Sequence, residues 1–400
     1  MINTIIAKPT KDCNADCAYC SSPPDMDGHW TFERFKTIFD LISPKLAESA
    51  VWIWHGGEPM LLGDKFYIQC WDYVKEYNAK ENKNIKFSMQ SNILLYSKKW
   101  KPIFRDVMKG SVSTSFDPDM TYRTLKGSTE KYAEQFYKKL DAVLNDGFNP
   151  MVVSTYSEDS AHLGMELYEK SLNSENQFHL RFNYRYPAGR ANNDGNGLIH
   201  PQTYGKMLIE LYDRWLKDTP SFSITPLDQM LDLTVGGDNQ RCPWIRGCNG
   251  KFLGIEPNGD LYNCADFADL KDEKFKFGNV FSTTVKNNVN FDIKVRKSDF
   301  AEKIFRSPAS RSHARRVSKL PMDCKTCRHF HECQGGCMRD AELYNRGLGG
   351  KFFYCESWMM VFDRIKESVL SGEADGILVR LGYDPEHSKN VVSNKVGQIL

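Results

Sequence analysis

The stretch Lys11–Ser21, KDCNADCAYCS, sets Cys13, Cys17 and Cys20 in a C-x3-C-x2-C array, with Tyr19 just before the last cysteine. Three thiolates leave one corner of a tetrahedral zinc site unfilled. They suit a 4Fe-4S cluster whose fourth iron takes an outside ligand, because soft thiolates select such clusters. A lone zinc knuckle or three packed thiols is the plainer reading of the same residues, so the flanking chain has to discriminate.

Upstream, Asn3 to Ala7 (NTIIA) reads as a short strand feeding the cysteine loop. Downstream, Phe32, Phe35, Ile38, Phe39 and Ile42 recur at helical spacing, with Thr31 as a plausible N-cap. Strands at Val51–Trp54, Ile85–Met89, Ser111–Phe116, Met151–Thr155 and Phe178–Tyr184 follow. Their helices are predicted near Lys65–Tyr77, Lys98–Met108, Lys131–Leu144, Leu163–Leu172 and Tyr204–Trp215. Six strand-then-helix units imply a parallel sheet with outer helices, curved one way by right-handed crossovers into a barrel or part of one. Chemistry in such folds sits in loops at the C-terminal ends of strands. The cysteine array lies just after the first strand, where that rule places it.

The trio with its penultimate aromatic resembles the signature of the radical S-adenosylmethionine (SAM) enzymes. That resemblance implies a partial (β/α)6 TIM-like barrel, SAM bound at the open iron, and a 5′-deoxyadenosyl radical that takes a hydrogen atom from substrate. The loop after the second strand, His55-Gly56-Gly57-Glu58-Pro59, resembles the family's GGEP motif for the SAM amino group; paired glycines let backbone approach a ligand closely. Gln90, Ser91 and Asn92 after the third strand look like the family's polar strand end. Ser115-Phe116-Asp117 resembles its S-x-D segment, and Arg123 is placed to pair the methionyl carboxylate bidentately. Each polar residue has an ordinary alternative as a strand-end cap, and Arg123 as a surface charge. Arg181, Asn183 and Arg185 alternate and share one strand face, expected to meet substrate unless that face is solvated.

Near Pro220 the alternation gives way to segments rich in Gly, Asn, Asp and Cys. Cys242, Cys248 and Cys264 come first, the last two flanking a hairpin with its turn at Pro257–Asp260. Cys324, Cys327, Cys333, Cys337 and Cys355 follow. These eight suffice for two fully ligated 4Fe-4S clusters; two zinc ribbons are the structural alternative. Their order resembles the SPASM domain of peptide- and protein-modifying radical SAM enzymes. By that resemblance Cys242, Cys248, Cys264 and Cys337 hold one auxiliary cluster, and Cys324, Cys327, Cys333 and Cys355 the other. With no open iron, the auxiliary clusters are expected to transfer electrons, tuned by burial and hydrogen bonds. The expected division is a barrel over 1–222, a small Cys-rich α+β SPASM domain over 223–365 and a tail over 366–400.

The chain has 400 residues and a formal net charge of +2, so no overall field points to nucleic acid. No leader and no apolar run of spanning length is read, so a cytoplasmic protein without a membrane partner is expected. Eleven of the twelve cysteines fall in these arrays; Cys70 sits in an amphipathic helix and reads as an inert packed thiol. The basic stretch from Lys294 to Lys319, which includes Arg316, reads as a solvated helical face or a grip for an acidic leader peptide. The tail after Ser371 is polar with little periodicity.

Two activities compete within the family resemblance. In sulfatase maturases, which make formylglycine from a protein Cys or Ser, a carboxylate base directly follows the third cysteine of the first auxiliary group. Here Ala265 stands there and Asp266 follows, so Asp266 is the candidate catalytic base, displaced by one residue. WHGGEPML looks like the maturases that crosslink ribosomally made precursor peptides, through thioethers or carbon–carbon cyclophanes. Many relatives carry a peptide-binding winged helix before the barrel, and only twelve residues precede Cys13. The expected activity is a crosslink in a precursor peptide, with a low-potential flavodoxin- or ferredoxin-type electron donor. Formylglycine formation is the enzymatic alternative, and a zinc-dependent binding module the reading outside enzymes.

Overall fold

A computed structural model describes residues 1–25, 28–192, 198–238 and 240–397. Six parallel strands carry the first half: β1 (Ile2–Ala7), β2 (Leu46–Trp54), β3 (Asn84–Gln90), β4 (Val112–Ser115), β5 (Met151–Tyr156) and β6 (His179–Tyr184). A two-residue strand, β7 (Ile224–Thr225), adds to β6 in the same direction, so parallel pairing runs slightly past the composition change at Pro220. Helices α1 (Phe32–Ile42), α2 (Asp64–Glu81), α3 (Thr129–Asn145), α4 (Gly164–Leu172) and α5 (Pro201–Asp218) are the crossovers.

Local chemistry accounts for these elements. Thr31 caps α1 by accepting from the Arg34 amide at 3.3 Å. Phe35, Ile38, Phe39 and Ile42 form its buried stripe. That stripe packs edge-on against Trp52 of VWIW, with the Phe35 and Trp52 ring centres 5.3 Å apart, and Trp54 meets Phe87 of β3 edge-on at 5.2 Å; such pairs contribute about 0.5–1.5 kcal/mol each beyond burial. The helix predicted at Lys98–Met108 is present but irregular: a 3₁₀ turn at Lys98–Trp100 runs through Lys101 and Pro102 into a π turn at Ile103–Val107. Pro102 has helical dihedrals but lacks an amide hydrogen, so one regular rung of the ladder is missing there.

After α6 (Leu227–Thr234), strands β8 (Phe252–Ile255), β9 (Asp260–Tyr262), β10 (Gly278–Asn279), β11 (Thr284–Lys286) and β12 (Asp292–Lys294) extend the same sheet. The twelve strands run in the order 12-11-10-9-8-1-2-3-4-5-6-7. β8 pairs in parallel with β1, and the strands beyond it are antiparallel. β1, which delivers the cysteine loop, is therefore central and flanked by both halves of the chain. The molecule is a mixed α/β fold with a large parallel sheet and a cysteine-rich C-terminal region.

A short helix, α7 (Ala265–Ala268), follows Cys264, and α8 (Cys355–Ser371) lies on α5. Gly205 permits that approach, since a Cβ there would meet the Ser357 Cα at 3.1 Å. Beyond Ser371, helices span Asp375–Arg380 and Pro385–Gly397 and bury Ile377, Leu378 and Val392. Too few apolar anchors mark them for a periodicity to be read. Residues 398–400 of the expected tail lie outside the described residues. Among the described residues no helix is long and apolar enough to cross a membrane.

Candidate active site and cysteine centres

The cysteine loop is positioned by the glycine pair that follows β2. The Gly57 amide donates to the Thr10 carbonyl at 3.0 Å, and the Glu58 amide to the Asp12 carbonyl at 2.8 Å. A Cβ at Gly57 would lie 2.1 Å from the Asp12 carbonyl oxygen and 2.5 Å from that of Lys11. Gly56 has φ +109° and presses equally closely on the Thr10 carbonyl. The glycine pair thus admits the backbone of the cysteine loop at close range.

Glu58 is fully buried and ties two strand ends together. Its carboxylate accepts from the Met60 amide at 2.9 Å, the Ser91 hydroxyl at 2.8 Å and the Asn92 amide at 2.7 Å. Burial nevertheless raises its pKa to about 7, against the pull of those donors. Pro59 opens the next 3₁₀ turn, and its carbonyl accepts from the Tyr67 hydroxyl at 2.6 Å. Asn92 reaches back through its side-chain amide to Asn14 at 2.7 Å and lies 3.8 Å from the Cys13 sulfur. Gln90 donates to the Ser115 hydroxyl at 2.8 Å. Asp117 accepts from the Thr155 amide at 2.8 Å, from Arg123 Nε at 2.7 Å and from the Tyr19 hydroxyl. Arg123 also donates to that hydroxyl and stands 4.0 Å from the Cys17 sulfur. Tyr19, Asp117 and Arg123 are therefore one partly buried network beside the trio, and Arg123 is not a free surface charge. Arg185 packs over the Tyr122 ring at 4.4 Å and the Tyr19 ring at 5.4 Å, while Arg181 donates to Asn183 at 3.1 Å.

A second network joins β1 to the C-terminal half. Lys8 is wholly buried, with its ammonium 3.0 Å from Glu256, paired to Asp269, and 3.3 Å from the Ala265 carbonyl. Burial alone would drive off its proton; Asp269 and Glu256 outweigh burial and raise its pKa. Lys11 pairs with Glu256 and Asp25, each at 2.7 Å, and Ser21 donates to Asp269 at 3.1 Å. His55 is held neutral by burial and by the Lys8 charge.

Asp266, at the start of α7, pairs with Arg339 at 3.0 Å, and its side chain keeps 44% exposure. Arg339 lies flat over Tyr186 at 3.8 Å. Asp266 is close enough that its charge helps raise the thiols of Cys242, Cys264 and Cys337 and the phenol of Tyr186, all of which burial raises first. Arg339 thus links Asp266 to Tyr186.

The structure gathers the cysteines in three places. Cys13, Cys17 and Cys20 repel one another's charge, and burial lifts the Cys13 thiol to about 12. Cys242, Cys248, Cys264 and Cys337 act on one another in the same way. Cys324, Cys327, Cys333 and Cys355 line one cavity of about 370 Å³. Among the described residues no trio of His, Cys, Asp or Glu is arranged to hold a single metal ion. A cavity ringed by four thiols fits a thiolate-ligated cluster, and ligation would require those thiols to give up their protons. Cys70 is buried within α2, apart from these groups.

Lys8, Glu256, Asp269, Tyr186, Arg339 and Arg316 were not anticipated as site residues. An isolated Lys in a strand and carboxylates some 250 positions away carry no spacing signal.

No family model matches the chain. The cysteine-type anaerobic sulfatase-maturating enzyme of Clostridium perfringens is 24% identical to it over 383 residues, covering 90% of this chain and 95% of that enzyme. The chain is a radical SAM enzyme. It is a SPASM-type maturase related to the sulfatase maturases. The enzyme shares its fold with native anSMEcpe bound to AdoMet and Cp18Cys peptide, at TM-score 0.73 and 20% identity over 94% of this chain and 99% of that one. Streptococcus suis SuiB bound to precursor peptide SuiA superposes less closely, at TM-score 0.57 and 13% identity over 89% of this enzyme and 76% of SuiB.

Proposed function

We propose that the enzyme oxidises one side chain of a peptide or protein substrate, with Asp266 as the group that accepts the substrate proton. The observation that carries this reading is the station of Asp266: anchored by Arg339, half exposed, linked through that arginine to Tyr186 of the barrel mouth, with its charge reaching the cysteines around Cys264. In this reading residues 1–222 form the SAM-cleaving barrel, 223–365 the cysteine-rich unit and 366–400 a structural appendage. Cys13, Cys17 and Cys20 hold a 4Fe-4S cluster and leave one iron for SAM. Gly56, Gly57, Glu58 and Pro59 shape the wall of that site, and Gln90, Ser91, Asn92 and Ser115 form its floor. Tyr19, Asp117 and Arg123 orient the cosubstrate. The bound cluster and SAM together supply a 5′-deoxyadenosyl radical that removes a substrate hydrogen atom. Cys242, Cys248, Cys264 and Cys337, and Cys324, Cys327, Cys333 and Cys355, hold two auxiliary clusters, making three in all. The reducing electron comes from a low-potential flavodoxin- or ferredoxin-type donor.

The product best supported is an aldehyde of the formylglycine kind, since the sulfatase maturases match nearly the whole chain. A crosslink in a precursor peptide is the second reading, favoured by Ala265 at the position directly after Cys264. One assay separates them: anaerobic enzyme, SAM and dithionite are incubated with the Cp18Cys peptide and with small peptides encoded beside the gene. An aldehyde reacts with a hydrazide probe; a crosslink loses two hydrogens and does not. Absence of any mass change in every peptide, while SAM is still cleaved, would contradict both.

A further inference from the structure

Arg316 departs from the rest of the basic stretch in which it lies. Arg296 and Lys303 pair with Asp299, and Arg306 pairs with Glu302, all near the surface. Arg316 is only 5% exposed. Its guanidinium grips backbone carbonyls instead: Nη2 donates to Gly335 at 2.6 Å and Gly336 at 3.2 Å, and Nη1 to Gly350 at 3.3 Å and to Leu348. Among the described residues no carboxylate lies within ion-pair distance of it. A buried cation neutralised by carbonyl dipoles alone is costly, and such charges are ordinarily paired.

The groups that would stand near it as anions once ligated are cysteine sulfurs from both C-terminal groups, since the carbonyls it grips belong to the link between Cys333 and Cys337. Cys337 and Cys248 of one group and Cys324 and Cys333 of the other all favour its charged form. Arg316 in turn opposes the effect of burial at Cys248 and at Cys324. The clasped dipeptide Gly335-Gly336 is the link between Cys333 and Cys337. It cannot carry larger residues, because Cβ atoms there would lie 2.6 Å from Leu320 and 2.7 Å from Phe352.

We propose that Arg316 is a shared counter-charge seated between the two auxiliary cluster sites, making both easier to reduce. This rests on the reading that the eight cysteines hold two clusters. Each site takes up one electron and no proton; the core goes from 2+ to 1+, and with its four thiolates the total charge goes from 2− to 3−. A fixed neighbouring cation favours the more negative state, and net charge near a cluster is one of the determinants of its potential. Because one guanidinium faces both groups, the two potentials shift together.

The test uses the full chain with Cys13, Cys17 and Cys20 replaced by alanine, so that only auxiliary signals remain. Arg316→Gln and Arg316→Lys are made in that background, reconstituted anaerobically, analysed for iron, and titrated with dithionite and mediators under EPR. The expected result is about eight irons per chain in all three proteins. Arg316→Gln should make reduction of both clusters roughly tenfold less favourable, about 59 mV for a one-electron couple, and Arg316→Lys should restore most of the loss. Unmoved potentials in Arg316→Gln at full iron content would overturn the proposal. So would loss of auxiliary iron in Arg316→Gln alone, which would make the clasp purely structural. Fewer than two clusters in the parent background would instead refute the reading beneath it.

Discussion

Replacing Lys8 by Met removes the charge at the seam between β1 and the C-terminal strands while keeping most of the stem's volume. In the native protein the ammonium serves Glu256, Asp269 and the Ala265 carbonyl, and its side chain is 1% exposed. Without it, Glu256 still has Lys11 at 2.7 Å, while the side-chain hydrogen bond left to Asp269 among the described residues is that from the Ser21 hydroxyl at 3.1 Å. Breaking a buried pair by removing one partner costs about 3–5 kcal/mol, because a charge stays behind uncompensated. With Glu256 still paired, the lower end, roughly 3 kcal/mol, is expected. Lys8→Met/Asp269→Asn removes the stranded charge, and most of the loss should return, leaving about 1 kcal/mol for the lost hydrogen bonds. Urea unfolding of the anaerobically purified proteins, compared at matched m-values, reads both numbers. A single variant within about 1 kcal/mol of wild type, or a double variant no more stable than Lys8→Met, would refute the reasoning that this seam depends on a balanced buried network.

Gly57→Ala should displace the Lys11–Asp12 backbone, whose carbonyl oxygens would stand 2.1–2.5 Å from the new Cβ, and iron analysis should show a loss of about four irons per chain. The control Gly382→Ala, at φ +86° with open space around its Cβ, should cost about 1 kcal/mol and leave iron content unchanged. His313 sits among Phe267, Phe275 and Phe277, and burial lowers its pKa from 6.5 to about 4. The unfolded chain therefore takes up the proton first as pH falls. The contribution of His313 is intact above pH 6.5 and is lost progressively towards pH 4, by roughly 3 kcal/mol in all. Unfolding followed from pH 8 to pH 4 should show that slope in wild type and a shallower one in His313→Phe.

The barrel was legible because alternation of short apolar runs with helical stripes survives in the sequence: Phe35 and Phe39 beneath α1 and the VWIW strand mark themselves. The N-terminal cysteine trio stood out by its spacing, whereas the division of the other eight into two groups came from the family resemblance. What escaped was chemistry that spacing does not encode. Lys8 meets Asp269 across 261 positions because β1 and β8 are neighbours, and no local pattern records that pairing. Arg316 is one basic residue in a run of them, and only the fold shows that it is buried on glycine carbonyls. That the glycines of HGGEP also make room for the cysteine loop is visible only in the fold. Pro102 made the helix at 98–107 irregular, which the sequence pattern alone did not show, and the C-terminal helices rest on too few apolar anchors to declare themselves.

The most direct measurement is the release of 5′-deoxyadenosine from SAM by the reconstituted, oxygen-free protein under dithionite. Turnover in the wild-type chain and its abolition when Cys13, Cys17 and Cys20 are replaced by alanine is the expected result. No release from a fully iron-loaded wild type, or equal release from the triple variant, would contradict the assignment of radical chemistry to that loop.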